Sequence, residues 1–277
     1  MPLSFVFAAA FFVGFGVLAR LWPCNAGQPR FLTKELPDDV IYLLISVLLY
    51  SGLAGIGVKL AFTAAYAGDA ARMLAKAQAG YGLLPHLPLL AQALVLVVLV
   101  DVIQYWLHRG FHNRLLWPFH AVHHSAREVN WTTTYRVHPV NFVLYSTSVV
   151  MLTQVMGFSP MVFVIVGPFN LVTAALVHAN LNWSFGPFRF VLASPVFHRW
   201  HHASDPKIHD KNFAPTFPFL DLMFGTFHMP QGELPDAYGA EGVPADMLGQ
   251  LVHPFLAIGR MLGHDRPRRS PEAAARP

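Results

Sequence analysis

Cysteine occurs once in the 277 residues, at Cys24, so neither an internal disulfide nor a thiolate metal site can form within the chain. Charge is scarce as well: Asp, Glu, Lys and Arg make up 12% of the residues, against about a quarter in a soluble domain. That leaves too little polar surface to clothe a soluble fold of this length. The mean hydropathy of +0.42 points instead to a bilayer as the solvent. There is no His-Pro-Gly-Gly haem motif, no CxxC pair and no GxGxxG fingerprint, so the chain carries no redox module of its own. On such a chain the net charge of +4 reads as basic loops at an anionic membrane surface and not as nucleic-acid binding.

Apolar sequence of helix length is abundant. Residues 3–19 are apolar and uncharged and end at Arg20-Leu21-Trp22. With no positive segment before them they predict a first membrane helix in preference to a signal peptide. Val40 to Phe62 predicts a second span, long enough for a bilayer core and rich enough in glycine for close helix packing. A third starts at Pro88, where a first-turn proline costs no hydrogen bond, and runs to about His112. Phe142–Met156 and Met161–His178 form an apolar pair joined by Gly157-Phe158-Ser159-Pro160. Each arm is near the lower limit for spanning, so the pair either crosses as a hairpin or dips in and returns. The polar segments 108–139 and 182–277 flank that pair and hold 13 of the 19 Lys and Arg. The positive-inside rule assigns them to the cytoplasm and the N-terminus to the outside. Residues 247–262 space their apolar groups as an interfacial amphipathic helix would, and the Arg/Pro/Ala tail after Gly263 has a disordered composition.

Histidine is the conspicuous excess: fifteen are present, and ten lie between 108 and 202. Eight of these form three boxes, His108-Arg-Gly-Phe-His112, His120-Ala-Val-His123-His124 and His198-Arg-Trp-His201-His202. Residues three and four apart share a helix face, so each box is expected to turn all its imidazoles towards a common ion. Pro118 before the second box, and Ser194 with Pro195 before the third, are residues that helix starts favour. Neutral imidazole suits iron, zinc and copper. Eight such nitrogens exceed what one ion uses, which implies two metals with positions left open for oxygen or water. No Cys or Met pattern around the boxes suggests copper. Asp101 is the one acid in a long apolar run, on a stripe with Gln104, Tyr105, His108 and His112. It is expected to accept from an imidazole N–H and fix its tautomer; the alternative is a helix-end charge near Arg109.

At these residues the chain resembles the sterol desaturase and fatty acid hydroxylase superfamily of membrane di-iron enzymes. The similarity spans roughly Asp101 to Pro230. Besides the boxes it takes in Tyr135-Arg136-Val137-His138-Pro139, Ser194-Pro195-Val196-Phe197, Asn212-Phe213 and Leu220-Asp221-Leu222-Met223-Phe224-Gly225-Thr226. The eight positions from His112 to His120 favour the sterol desaturase-like branch, since acyl-CoA desaturases set these boxes much further apart. The resemblance implies an all-α, multi-pass membrane helix bundle with a cytoplasmic histidine-rich catalytic cap. It implies metal ligation by all eight boxed histidines and by His178, while His138 matches a family histidine that is either a ligand or a support for one. Asn141 stands where a Glu often follows His-Pro, and Trp131 crowds the segment beyond the second box; both are expected to alter the substrate channel. His86, His209, His228, His253 and His264 have no box spacing and are read as ordinary polar residues.

The activity implied is O2-dependent hydroxylation or desaturation of a lipid (sterol, fatty acyl or related) at two iron ions per chain. Electrons would come from a separate donor of ferredoxin or cytochrome type. Three regions are expected: N-terminal membrane helices over 1–86, the histidine-box domain over 87–230 with its membrane hairpin at 142–178, and an interfacial helix and basic tail over 231–277. The Ala- and Arg-rich composition suggests a bacterial plasma membrane; in a eukaryote the same features would suggest the endoplasmic reticulum. Two other classes compete. A membrane metal transporter would put its site near the midplane, whereas these boxes fall at or beyond helix ends. A haem-b membrane cytochrome would use isolated histidines from separate helices, not H-x-x-H-H clusters.

Overall fold

The computed structural model describes residues 3–29, 33–46, 84–159 and 161–264, with isolated positions between 52 and 75. Among these residues the chain is helical and has no β-strand; a lone bridge pairs Ala203 with Tyr238. The helices are α1 (Leu3–Leu21), α2 (Leu36–Ile45), α3 (Leu89–Phe111), α4 (Trp117–His124), α5 (Pro139–Met156), α6 (Met161–His178), α7 (Pro195–His201), α8 (Phe219–Met223) and α9 (Met247–His264). The second expected span thus starts earlier, at Leu36. Most of it beyond Ser46, most of residues 68–80 and the tail after His264 lie outside the described residues.

α3 has 23 residues, about 34 Å at 1.5 Å per residue. It and α6 are long and apolar enough to cross a membrane, yet only 33% and 28% of their apolar windows are buried within the protein. The core helix of a soluble protein would bury most of such a window. Instead Leu90, Leu94 and Val98 stand exposed one turn apart along α3, and Phe163, Val164 and Ile165 are exposed on α6. The α5–α6 hairpin packs along α3, where Val162 and Val166 meet Ala93, Leu96, Val100 and Phe158 in one cluster. Gly157 closes α5 at a left-handed φ of 72°, which glycine adopts without strain. The Ser159 N–H then donates to Gln92 Oε1 at 2.9 Å, in the first turn of α3. The hairpin therefore runs nearly the whole length of α3.

At the other end of the bundle α4, α7, α8 and the loops around them form a cap. Its core is polar, and it draws in the segment after α1 and the start of α2. Just past α1, Asn25 N–H donates to Asn180 Oδ1 at 2.9 Å, and Gln28 Nε2 donates to Val129 O at 2.8 Å. In α2, Asp39 pairs with Arg136 at 2.7 Å and accepts from Thr132 Oγ1 at 2.6 Å. Arg199 is fully buried and meets neutral acceptors, donating to Val129 O and to Asn25 Oδ1. α9 lays Phe255 against Phe119 of α4 (ring centroids 5.6 Å) and leaves Leu248, Val252, Leu256 and Leu262 exposed. Inside the cap-facing side, Gln250 accepts from Tyr42 Oη at 2.9 Å.

Candidate metal centre

Local sequence sets up the helices that carry the histidines. Pro118 sits in the first turn of α4. The Ser194 side chain caps α7 by accepting from the Phe197 N–H at 3.1 Å, with Pro195 in its first turn. The ends of α3 and α6 meet α4 and α7 at nine histidines, which fall into two groups. One holds His108, His112, His120, His124 and His201; the other holds His123, His178, His198 and His202. Within each group the candidate ligand nitrogens lie within 4.8 Å of one another. These are the eight boxed histidines and His178.

The boxes do not each face one ion, contrary to the reading from spacing. His120 and His124 join the first group while His123 joins the second, and the third box is split the other way, with His201 in the first group. Helix geometry is the reason. Residues four apart point within about 40° of each other, whereas neighbours such as His123 and His124 diverge by about 100° and straddle two centres. The groups share a wall, where His124 stacks on His202 with centroids 4.4 Å apart.

The rings are locked with their outer nitrogens engaged. His108 Nδ1 faces Phe213 O at 2.7 Å, His201 Nδ1 faces Lys211 O at 2.7 Å, His178 Nδ1 faces Ala174 O at 2.7 Å, and His123 Nδ1 faces Arg136 O at 3.1 Å. A carbonyl only accepts, so each of these Nδ1 atoms carries the proton and each Nε2 carries a lone pair. Yet Nε2 of His123 and of His178 lie 3.2 Å apart. Two lone pairs at that distance cannot hydrogen-bond, but they can share a cation. Nε2 of His112, His124 and His201 is likewise buried with no partner. Burial holds His120, His123, His124, His198, His201 and His202 well below the ordinary imidazole pKa, and so neutral and able to bind metal.

One loop supports three of the five rings in the first group. Asp210 Oδ1 lies 2.9 Å from His112 Nδ1, Lys211 offers its carbonyl to His201, and Phe213 offers its carbonyl to His108. Asp210 and Asn212 adopt left-handed φ of 61° and 59°, a conformation that Asp and Asn tolerate better than most residues. The Asn212 side chain donates to Phe197 O (2.8 Å) and accepts from the His228 N–H (2.7 Å), tying the loop to α7. Asp221 accepts from the Phe213 and Ala214 N–H groups at 2.8 and 2.9 Å.

Asp101 is placed differently from its expected role. It touches no imidazole; its two oxygens accept from the Thr216 and Phe217 N–H groups at 2.7 and 3.0 Å. It anchors the chain just beyond Phe213 and so acts on His108 at one remove. His138 lies outside both groups. Its Nδ1 accepts from the Val140 N–H (3.2 Å) and its Nε2 donates to Leu251 O (3.1 Å), joining the start of α5 to α9. Trp131 packs against α1, stacked on Phe15 at 5.9 Å, and not over the histidines. Asn141 does reach the centre. Its amide Nδ2 lies 3.0 Å from His120 Nδ1 while its Oδ1 is buried without a partner. With the amide turned over, Oδ1 accepts from the Nδ1–H, and His120 presents a lone pair like its neighbours. Asp210, Asp221 and Asn212 were not singled out by box spacing, although Asn212 and Asp221 fall within the stretches that carry the resemblance.

Two cavities reach the cluster from different sides. One, of about 490 Å³, is lined by His112, His124, His201 and His202 together with Arg114, Asp210 and Glu241. The other, of about 310 Å³, is lined by His108, His120, His123, His178 and His198 and by residues of α3 and α5. No histidine lines both.

Residues 93–226 match the fatty acid hydroxylase family. An ornithine lipid hydroxylase from Rhizobium tropici is 29% identical over 175 residues, 62% of this chain and 53% of the relative. An alkylglycerol monooxygenase from Danio rerio is 35% identical over 133 residues, 46% of this chain and 28% of the relative. A very-long-chain aldehyde decarbonylase from Oryza sativa is 28% identical over 152 residues, 52% of this chain and 55% of the relative. The chain thus spans about half the length of these relatives or less. No solved structure matches it.

Proposed function

We propose that the chain, whose residues 93–226 match the fatty acid hydroxylase family, is an integral-membrane non-haem di-iron oxygenase that hydroxylates or desaturates a lipid. The observation that carries this reading is the pair of Nε2 lone pairs on His123 and His178, 3.2 Å apart, inside a set of nine neutral imidazoles. Such a donor set fits two iron ions, with His108, His112, His120, His124 and His201 around one and His123, His178, His198 and His202 around the other. When bound, the irons supply the redox chemistry by which dioxygen oxidises an unactivated carbon. Hydroxylation balances as R–H + O2 + 2 e⁻ + 2 H⁺ → R–OH + H2O, with both electrons from a separate redox protein of ferredoxin or cytochrome type. Two of the relatives are named for oxygen insertion, which favours hydroxylation over desaturation.

The protein's part is positional. Asp210, Lys211, Phe213, Arg136 and Ala174 hold five rings by their outer nitrogens, so the inner nitrogens are aimed before any ion arrives. The cavity against α3 and α5 opens beside the apolar helices and suits the lipid. The cavity lined by Arg114, Asp210 and Glu241 suits the aqueous side, where protons and the electron donor arrive. Helices α1, α3 and the α5–α6 hairpin, with the stretch after α2, are read as membrane-spanning. The cap then faces the cytoplasm, because the sequence segments that carry it, 108–139 and 182–277, hold 13 of the 19 Lys and Arg; in a bacterium this is the plasma membrane.

Anaerobic purification with iron supplied should yield close to two irons per chain, and the reduced protein should oxidise lipid on exposure to O2. Full lipid-oxidising activity from a preparation holding one zinc and no iron would overturn the reading. Zinc without activity would not, since imidazole sites take zinc from the medium.

A further inference from the structure

The cavity of about 310 Å³ against α3 and α5 is not lined as a channel for plain hydrocarbon. Beside the five histidines it presents Gln104 from α3, Thr134 from the segment after the second box, and Asn141, Tyr145 and Ser146 from α5. Gln104, Thr134, Tyr145 and Ser146 make no side-chain hydrogen bond to any described residue. A polar group that packs against alkyl chain without a partner loses its hydration and gains nothing. Four such groups around one small cavity therefore call for hydrogen-bonding atoms on the ligand.

Depth along the bundle points the same way. Gln104 lies seven residues before the cap end of α3, and Ser146 seven residues after the cap end of α5. Each is about 10 Å from that end at 1.5 Å per residue. A bilayer core is about 30 Å thick, so its midplane, where acyl chains terminate, lies about 15 Å from the surface. The cavity is thus nearer the level of the linkage between headgroup and chain than the level of chain ends.

We propose that the carbon oxidised lies within a few bonds of an ether, ester, amide or hydroxyl linkage of an amphiphilic lipid, held by Gln104, Thr134, Tyr145 and Ser146. Mid-chain and terminal methylenes are not the target. This rests on the oxygenase reading, but binding can be measured apart from turnover.

The test uses the full chain in detergent micelles with four probes of matched chain length: 1-O-hexadecylglycerol, 1-hexadecanoylglycerol, N-hexadecylacetamide and hexadecane. Zinc-loaded protein, which cannot turn over, is used to compare their competition with a fluorescent lipid at equal mole fraction. At least one linked probe should bind roughly tenfold or more tightly than hexadecane. Gln104→Leu and Ser146→Ala should narrow that gap while zinc content and melting temperature stay unchanged. With iron and a reductant, mass spectrometry should place the new oxygen within a few bonds of the linkage. Equal binding of hexadecane and all linked probes, or oxygen placed mid-chain or at the terminal methyl, would overturn the proposal. If iron-loaded, reduced protein oxidised no probe, the oxygenase reading would be in question, and the zinc-form binding comparison would still decide this one.

Discussion

Asp210 Oδ1 stands 2.9 Å from His112 Nδ1, and among the nine histidines this is where an outer ring nitrogen meets an acid. The hydrogen bond to His112 holds the Asp210 carboxyl below its ordinary pKa, so it is charged at neutral pH. It fixes the tautomer of His112 and makes that ring a stronger donor to metal. Asp210→Ala should weaken one of the two metal sites by roughly 10- to 100-fold and leave the other intact. Asp210→Asn should keep most of the affinity, because its amide oxygen still accepts and Asn tolerates the left-handed backbone. Metal retention against a graded chelator reads this directly. Loss of both ions together in Asp210→Ala would show that the two groups are not separate sites.

His123 and His201 are the members of their boxes that face the opposite group from their i+1 neighbours. His201→Ala should lower metal content by about one ion per chain through the first group, and His123→Ala by about one through the second. Each should abolish lipid oxidation. His253, which has no place in either group, should tolerate Ala with activity within about two-fold, as is usual away from special contacts. If His253→Ala were as damaging as His201→Ala, the grouping would be wrong.

Much of this was legible in the sequence because it depends on short spacing. The boxes, the Ser194 cap, the start of α3 after Pro88 and the two arms of the hairpin follow from helix periodicity and turn residues within a few positions. The division of the second and third boxes between two groups was not legible. It depends on where α4 and α7 cross α3 and α6, which no single box records. Asp101 drew notice as an acid in an apolar run, but its partners are backbone groups 115 and 116 positions away. The same holds for the arginines. Arg136 and Arg199 were counted with the basic loops at a membrane surface, yet both are almost wholly buried. Arg136 meets Asp39 from a segment 97 positions earlier.

Six cap histidines, His120, His123, His124, His198, His201 and His202, have pKa values held well below 6.5 by burial. In the unfolded chain they protonate near pH 6.5. Below that pH the unfolded state binds more protons than the folded one, so stability falls as pH falls. Each such histidine contributes a slope of up to about 1.4 kcal/mol per pH unit. Metal-free protein should therefore melt at steeply lower temperature between pH 7 and pH 5, and zinc-loaded protein should resist that decline until the metal is displaced. Thermal melts of both forms over that range are the measurement. An apo form as stable at pH 5 as at pH 7.5 would mean that the rings are solvated and not packed as described.

The final expectation joins charge to topology. The first two boxes precede the hairpin and the third follows it, yet His124 and His202 stack at 4.4 Å. The hairpin must therefore return the chain to the side it left. Its tip at Ser159 is bonded to Gln92 near the far end of α3. If α3 crosses the bilayer, α5 and α6 cross nearly as far, and the cap lies on one side, built from sequence segments that hold 13 of the 19 Lys and Arg. A reporter fused at Arg114 or after Gly263 should read as cytoplasmic, and one placed between Gly68 and Gly80 as external. Cysteine labelling offers a second route, since only Cys24, which is buried, needs replacing to clear the background. Cysteines introduced at Arg114 and Lys207 should react from the same side of sealed vesicles. Labelling that put these two positions on opposite sides would separate the boxes, and no shared metal centre could then form.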